Sequence, residues 1–179
     1  ERHWDLIEKF ARTAAEHGMN MLLTPLFTPP LDTAIGGERT TVQLVDVERT
    51  APGEYRFGFG RLKRWIATAR AAGIEYFEMS HLFTQWGAKH APKIIARTET
   101  GETGRIFGWE TDAAGPEYRR FLESFLPALT AFLKNEGVAD RCWFHVSDEP
   151  SLKDLESYRN ASAIVRGLLP EFPVLDALS

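Results

Sequence analysis

Apolar residues return along this chain in two rhythms, and the rhythm changes at glycine-marked joints. Trp4, Leu6, Ile7, Phe10, Ala11, Ala14 and Ala15 recur at helical spacing, and Gly18 closes the run. Met19 to Leu26 is then nearly continuously apolar, as expected of a short strand covered on both faces. Pro25, Pro29 and Pro30 end it, and residues 31–38, with Gly36-Gly37, read as loop. Thr41 to Glu48 and Tyr55 to Phe59 are strand-like and are joined by Ala51-Pro52-Gly53-Glu54, a turn composition. They predict a hairpin inserted after the first strand, with Tyr55, Phe57 and Phe59 packing against its own base. Arg61 to Ala72 reads as a helix with Leu62, Trp65, Ile66 and Ala69 inward. Gly73 ends it, and Ile74 to Leu82 predicts the next strand.

Residues 83–114 form a connection too long to be idle in a compact domain. Within it, Ile94–Arg97 and Arg105–Trp109 are placed to pair across Thr100-Gly101 as a second hairpin. Pro116 opens a helix that runs to Asn135 on a stripe of Leu122, Phe125, Leu126, Leu129, Phe132 and Leu133. Pro127 predicts a kink or break inside it. Gly137 closes that helix, Cys142 to Ser147 reads as a third strand, and Ser151 with Asp154 forms an imperfect capping box for a helix continuing to Leu168. After Pro170, Val174 to Leu178 begins a fourth strand.

The order helix–strand repeats four times, and His17-Gly18, Ala72-Gly73 and Glu136-Gly137 each end a helix just ahead of a strand. Short turns on one side and long connections on the other predict a parallel sheet with right-handed crossovers and loops gathered at the strands' carboxyl ends. That asymmetry belongs to a (β/α)8 TIM-barrel type of α/β fold. A full barrel needs about 250 residues. The 179 residues here make about half of one, four strands with their helices and two inserted β-hairpins. Residues 1–179 then form one partial barrel domain, and the ends read as boundaries within a longer chain. A doubly wound sheet is the structural alternative.

Composition narrows the chemistry. The chain is 44% hydrophobic and 26% charged, with a net charge of −4 and no long run of one sign, which argues against a nucleic-acid surface. A single cysteine, Cys142, lies in an apolar strand, so a disulfide framework and a cysteine zinc cluster are excluded. No apolar run is long enough to span a membrane, and no signal peptide is present. No glycine-rich phosphate loop sits between a strand and a helix, and there is no G-x-S-x-G elbow. The spacing of His81, His90 and His145 matches no metal motif.

The candidate site centres on His145-Val146-Ser147-Asp148-Glu149-Pro150, where a strand runs into two carboxylates and a proline. Ligands of α/β proteins bind at the strands' carboxyl ends. A carboxyl group there, near aromatic side chains, loses solvation and holds its proton more tightly, as a general acid requires. Glu149 is the first candidate for that role. Successive strand residues face opposite sides, so Asp148 and Glu149 share one pocket only if the backbone bends at Ser147 or Asp148. Adjacent carboxylates also fit poorly with the usual nucleophile and acid, which flank the sugar about 5 Å or more apart. They suit a substrate that supplies its own nucleophile. His81, Trp86, Lys89, His90 and Trp109 supply aromatic faces and hydrogen-bonding groups suited to a sugar ring, and His145 is a further substrate-binding candidate. His145 and Ser147 also read as satisfied polar residues beneath the site. Glu78, mid-strand in apolar company, requires a partner.

The run from His145 to Pro150 resembles the strand-end signature of glycoside hydrolase family 123 and related bacterial barrel domains of unknown function. Tyr55-Arg56-Phe57, the helix from Arg61, Gly73-Ile74, His81-Leu82-Phe83 with Trp86-Gly87, and Phe107-Gly108-Trp109 resemble other parts of that barrel in the same order. The resemblance implies a (β/α)8 barrel and a retaining, exo-acting β-N-acetylgalactosaminidase with a carbohydrate substrate and no cofactor. It further implies substrate-assisted catalysis, in which the sugar's 2-acetamido oxygen attacks the anomeric carbon. Asp148 would orient the acetamido group, and Glu149 would protonate the leaving oxygen and then activate water. The remaining barrel strands, and a flanking β-sandwich domain of the kind typical of the family, are not in this sequence. A secreted or periplasmic location is implied by the same resemblance. Two other readings stand beside this one: a non-catalytic carbohydrate-binding barrel gripping sugar with Trp86 and Trp109, and a structural half-barrel in which Asp148 caps a helix and Glu149 meets a basic side chain.

Overall fold

In the computed structural model, which describes residues 1–31 and 34–176, the chain forms a mixed α/β fold with two sheets. In chain order the elements are α1 (Arg2–Glu16), β1 (Met21–Thr24), β2 (Asp46–Ala51), β3 (Glu54–Gly58), α2 (Gly60–Ala71), β4 (Tyr76–Met79), β5 (Ile94–Arg97), β6 (Thr103–Phe107), α3 (Pro116–Asn135), β7 (Cys142–Phe144) and α4 (Leu155–Leu168). Strands β1, β4 and β7 lie side by side, all parallel, in the order in which they occur along the chain. Phe144 continues the ladder with a parallel bridge to Val174, so a fourth position opens where expected. The expected extension of that strand through residues 177–178 lies outside the described residues.

Each parallel strand is shorter than its apolar run. Leu26, Leu82 and Val146 lie beyond the strands' carboxyl ends, yet each is fully buried. A continuous apolar run reports burial, not ladder pairing, so the chain leaves the sheet while still inside the core. The third strand therefore stops at Phe144, and His145 to Glu149 belong to the loop above it.

Both hairpins form, but not as separate inserts. They merge into one four-stranded sheet, β3-β2-β5-β6, through a parallel contact at Glu48 and Arg97. The Gln43 amide completes the seam by donating to the carbonyls of Val45 and Ile95 and accepting from the Ile95 amide, all at 2.8–3.0 Å. Tyr55 and Phe57 do not pack only on the hairpin's own base. Their rings meet Phe121 at 5.0 and 5.7 Å, and Phe59 stacks on Phe132 at 4.7 Å. This aromatic layer, with Phe27, Phe107, Tyr118 and Phe125, joins the hairpin sheet to α3.

Helix α3 runs through Pro127 as one 20-residue element, without the expected break. Pro127 lies on the exposed side, where water can satisfy the carbonyl it leaves without a donor. On the other side Phe121, Leu122, Phe125, Leu126, Leu129 and Leu133 are all fully buried, and their burial outweighs one lost hydrogen bond. Helix α1 differs. Its apolar stripe buries only Ala11, and Phe10 is 73% exposed. At its end Gly18, like Gly73 after α2 and Gly137 after α3, occupies the joint the sequence marks, each with positive φ. Among the described residues no helix is long and apolar enough to cross a membrane.

Candidate active site

The carboxyl ends of β4 and β7 carry the polar groups that this core cannot otherwise explain. Glu78, on β4, accepts a 2.7 Å hydrogen bond from His145 Nε2. The other ring nitrogen, Nδ1, lies 3.0 Å from Asp176 Oδ1. The same Asp176 oxygen accepts from the Val146 amide at 3.0 Å, and Oδ2 accepts from the Tyr158 hydroxyl at 2.6 Å. One carboxylate thus ties the loop after β7, the segment after Val174 and helix α4 together. Burial opposes charge on His145, but the bonds to Asp176 and Glu78 outweigh it and raise its pKa to about 9. The hydrogen bond from His145 holds the Glu78 carboxyl below its ordinary range despite partial burial. Burial, with the hydrogen bond to Asp176, pushes the Tyr158 hydroxyl up.

His81 lies flat against His145, with ring centroids 4.1 Å apart and planes 28° from parallel. It is buried, and its Nδ1 has no hydrogen-bond partner among the described residues. Burial, reinforced by the neighbouring charge on His145, pushes its pKa down to about 4.

Above this layer the backbone turns. Glu149 has φ of 45°, a left-handed conformation uncommon for a residue other than glycine. The backbone bends at Asp148, one of the two positions expected from strand geometry, and the bend continues through Glu149. Asp148 is half-buried, while Glu149 is exposed and forms no ion pair among the described residues. The basic partner required by the structural half-barrel reading is therefore missing for Glu149. Helix α4 does not follow at once: Leu152–Asp154 makes a short 3-10 turn, closed by Ser151 Oγ donating to Asp154 at 2.9 Å.

A second left-handed stretch faces this one. Trp86, Gly87 and Ala88 have φ of 58°, 124° and 56°. The Trp86 amide donates to the Asp148 carbonyl at 3.0 Å, the Phe83 amide to the Val146 carbonyl at 3.2 Å, and Ser147 Oγ to the Thr84 carbonyl at 2.8 Å. Gly87 sits so close to Asp154 that a Cβ there would lie 2.8 Å from the Asp154 Cβ. Trp86 is thereby held 46% exposed beside the Asp148–Glu149 turn.

The remaining expected residues are spread around this centre. Lys89 pairs with Asp154 at 2.7 Å, so its charge is already used in bracing the Trp86 loop. His90 meets Trp109 edge-to-face at 5.8 Å and is linked to the centre through Thr84, whose Oγ1 accepts from the His90 amide at 3.2 Å. Trp109 is half-buried, and its Nε1 donates to the Gly37 carbonyl at 3.0 Å. Sequence reasoning passed over Asp176 and the hydroxyl of Tyr158, and it left the partner of Glu78 unnamed. The available signal was an acid placed just past Val174 in the fourth strand position, matching the polar residues at the ends of the neighbouring strands. Cys142 is inert: burial pushes its thiol up to about 12, and the sulfur rests 3.1 Å from the Val138 carbonyl. Among the described residues no cluster of three or more His, Cys, Asp or Glu side chains is arranged to hold a metal ion.

Comparison with known proteins bears on this arrangement. The family profile for "Glycoside hydrolase 123, catalytic domain" matches residues 1–179. The fold is similar to that of a family 123 glycoside hydrolase from Clostridium perfringens, whose structure was analysed for its glycolipid glycan hydrolysis. The TM-score is 0.74 at 13% sequence identity, over 100% of this chain and 31% of that one. At that identity the likeness speaks for the fold, and this chain spans about a third of the other's length. No curated protein matches the sequence.

Proposed function

The chain belongs to the glycoside hydrolase 123 catalytic-domain family, and on that premise we propose that it hydrolyses the glycosidic bond of a terminal 2-acetamido sugar by a retaining, substrate-assisted route. The observation that carries this reading is the turn at Glu149, whose positive φ breaks the strand alternation that would separate two consecutive acids. Neighbours in sequence fit poorly as a nucleophile and acid pair flanking a sugar. In the route the family resemblance implies, the substrate's own acetamido oxygen attacks the anomeric carbon. Glu149 gives its proton to the leaving oxygen as the glycosidic bond breaks, and Asp148 orients the acetamido group and balances the positive charge of the oxazolinium. Glu149, now ionised, takes a proton from water as that water opens the ring, and two inversions restore the original anomer. The exposed ring of Trp86 supplies a face for the sugar.

The fold is read as four consecutive units of a (β/α)8 barrel, residues 1–179 being a partial catalytic domain. Three parallel strands in chain order and a fourth position opening at Val174 support this. The rest of the barrel, or a flanking β-sandwich domain, would then close the sheet's edges in the intact protein.

The test is Glu149→Gln in the intact protein with an aryl 2-acetamido-2-deoxy-β-glycoside, alongside proton NMR of the first-formed anomer. Turnover should collapse in the variant, and the first product of the wild type should be the β-anomer. Unchanged turnover removes Glu149 from the role, an α-anomer rejects retention, and tight sugar binding without turnover assigns a binding barrel instead.

A further inference from the structure

The two ring nitrogens of His145 each face a carboxylate oxygen, Glu78 at 2.7 Å and Asp176 at 3.0 Å. An ionised carboxylate only accepts hydrogen bonds, so both nitrogens must carry hydrogen, and a neutral imidazole carries just one. The geometry therefore describes an imidazolium between two anions. On the Asp176 side its surroundings are dry, the side chains of His145 and Asp176 being 7% and 4% exposed, while that of Glu78 is 29% exposed. Asp176 is saturated further by the Val146 amide and the Tyr158 hydroxyl. The charged groups facing the ring are thus Glu78 from β4 and Asp176 from the segment after Val174, with the hydroxyl of Tyr158 on α4 behind Asp176. The fourth neighbour is His81, stacked on the ring at 4.1 Å with its Nδ1 buried and without a partner among the described residues. A second positive charge at that distance in a buried site is disfavoured.

We infer that His145 is a positioning residue: a fixed imidazolium, clamped between Glu78 and Asp176, that anchors the Val146-to-Glu149 loop on the sheet and keeps His81 uncharged beneath the acids. Asp176 transmits the anchoring because the oxygen that binds the ring also holds the Val146 amide, two residues before Asp148. The consequence for catalysis rests on the hydrolase reading, whereas the charge states of the two rings do not.

Nitrogen-15 NMR of the histidine rings in this chain separates the two. Between about pH 6 and 8 both nitrogens of one histidine, assigned to His145 by their loss in His145→Gln, should show imidazolium shifts, and His81 should remain a neutral tautomer. In His145→Gln the titration of His81 should rise by about one pH unit or more as the neighbouring cation is lost. A neutral His145 at pH 7, or a wild-type His81 titrating near the ordinary histidine value, overturns the charge assignment, and the wild-type spectra decide this even if the variant does not fold. For the anchoring role, the alkaline limb of kcat in the intact protein should move to lower pH in Asp176→Asn while KM stays within about twofold. A limb that does not move overturns it. Absence of hydrolysis with intact imidazolium shifts would instead reject the hydrolase reading and leave the clamp standing.

Discussion

The loop after β7 joins two regions built on opposite principles. Below, around His145, each polar group is at least partly buried and bonded: Glu78, Asp176, Tyr158 and the Val146 amide form one connected set. Above, around Glu149, the backbone carries four residues with positive φ, Trp86, Gly87, Ala88 and Glu149, and the acid at its tip is exposed and forms no ion pair among the described residues. The lower region uses charge to hold a shape. The upper region uses backbone shape to hold a carboxyl group out in the open. The difference teaches that an ionic network and a candidate catalytic acid, four residues apart, are distinguished by what each leaves unsatisfied.

Changes that separate the two regions sharpen the contrast. Glu149→Gln is expected to lower turnover of an aryl 2-acetamido glycoside by the intact protein roughly a hundred- to ten-thousandfold, with the urea unfolding midpoint unchanged. A large loss of stability would show that Glu149 belongs with the structural set. Asp176→Ala is the converse. It leaves a buried imidazolium short of a partner and should cost about 3–5 kcal/mol in urea unfolding; a loss under about 1 kcal/mol would mean that the clamp contributes little.

The pH dependence of stability follows from the lower region. The pKa of His145 is raised from 6.5 to about 9, so its contribution is full below 6.5 and is lost as pH rises through 9. The pKa of Glu78 is held below 4.5, so its contribution is present above 4.5 and is lost as pH falls through the depressed value. Urea midpoints measured across pH should therefore decline on the alkaline side between 6.5 and 9, and His145→Gln should flatten that decline. A smaller effect is expected from Gly87→Ala. It places a Cβ 2.8 Å from Asp154 at a φ of 124° and should cost about 1–3 kcal/mol, seen as a lower thermal midpoint and altered Trp86 fluorescence.

Amphipathic spacing announced the four helices of the described residues, and glycine at three joints and Pro170 at the fourth placed their ends within a residue or two. It could not say whether a face is covered. Helices α1 and α3 both carry an apolar stripe, yet α3 buries seven residues and α1 buries Ala11 alone. The candidate site was legible in part. The Trp86 amide meets the Asp148 carbonyl, so these two loops adjoin, whereas Lys89 is engaged by Asp154 and His90 stands with Trp109 at one remove.

By itself, then, the sequence determined the alternation of helix and strand, the two hairpins and the family signature, because periodicity, turn residues and short motifs act over a few neighbouring residues. Only the tertiary structure decided that the hairpins share one sheet, that Glu149 takes a left-handed φ, and that Glu78, His145 and Asp176 meet. The last of these joins groups 31 and 67 residues apart along the chain, and such partners are selected by how strands stack in space, which no local pattern records.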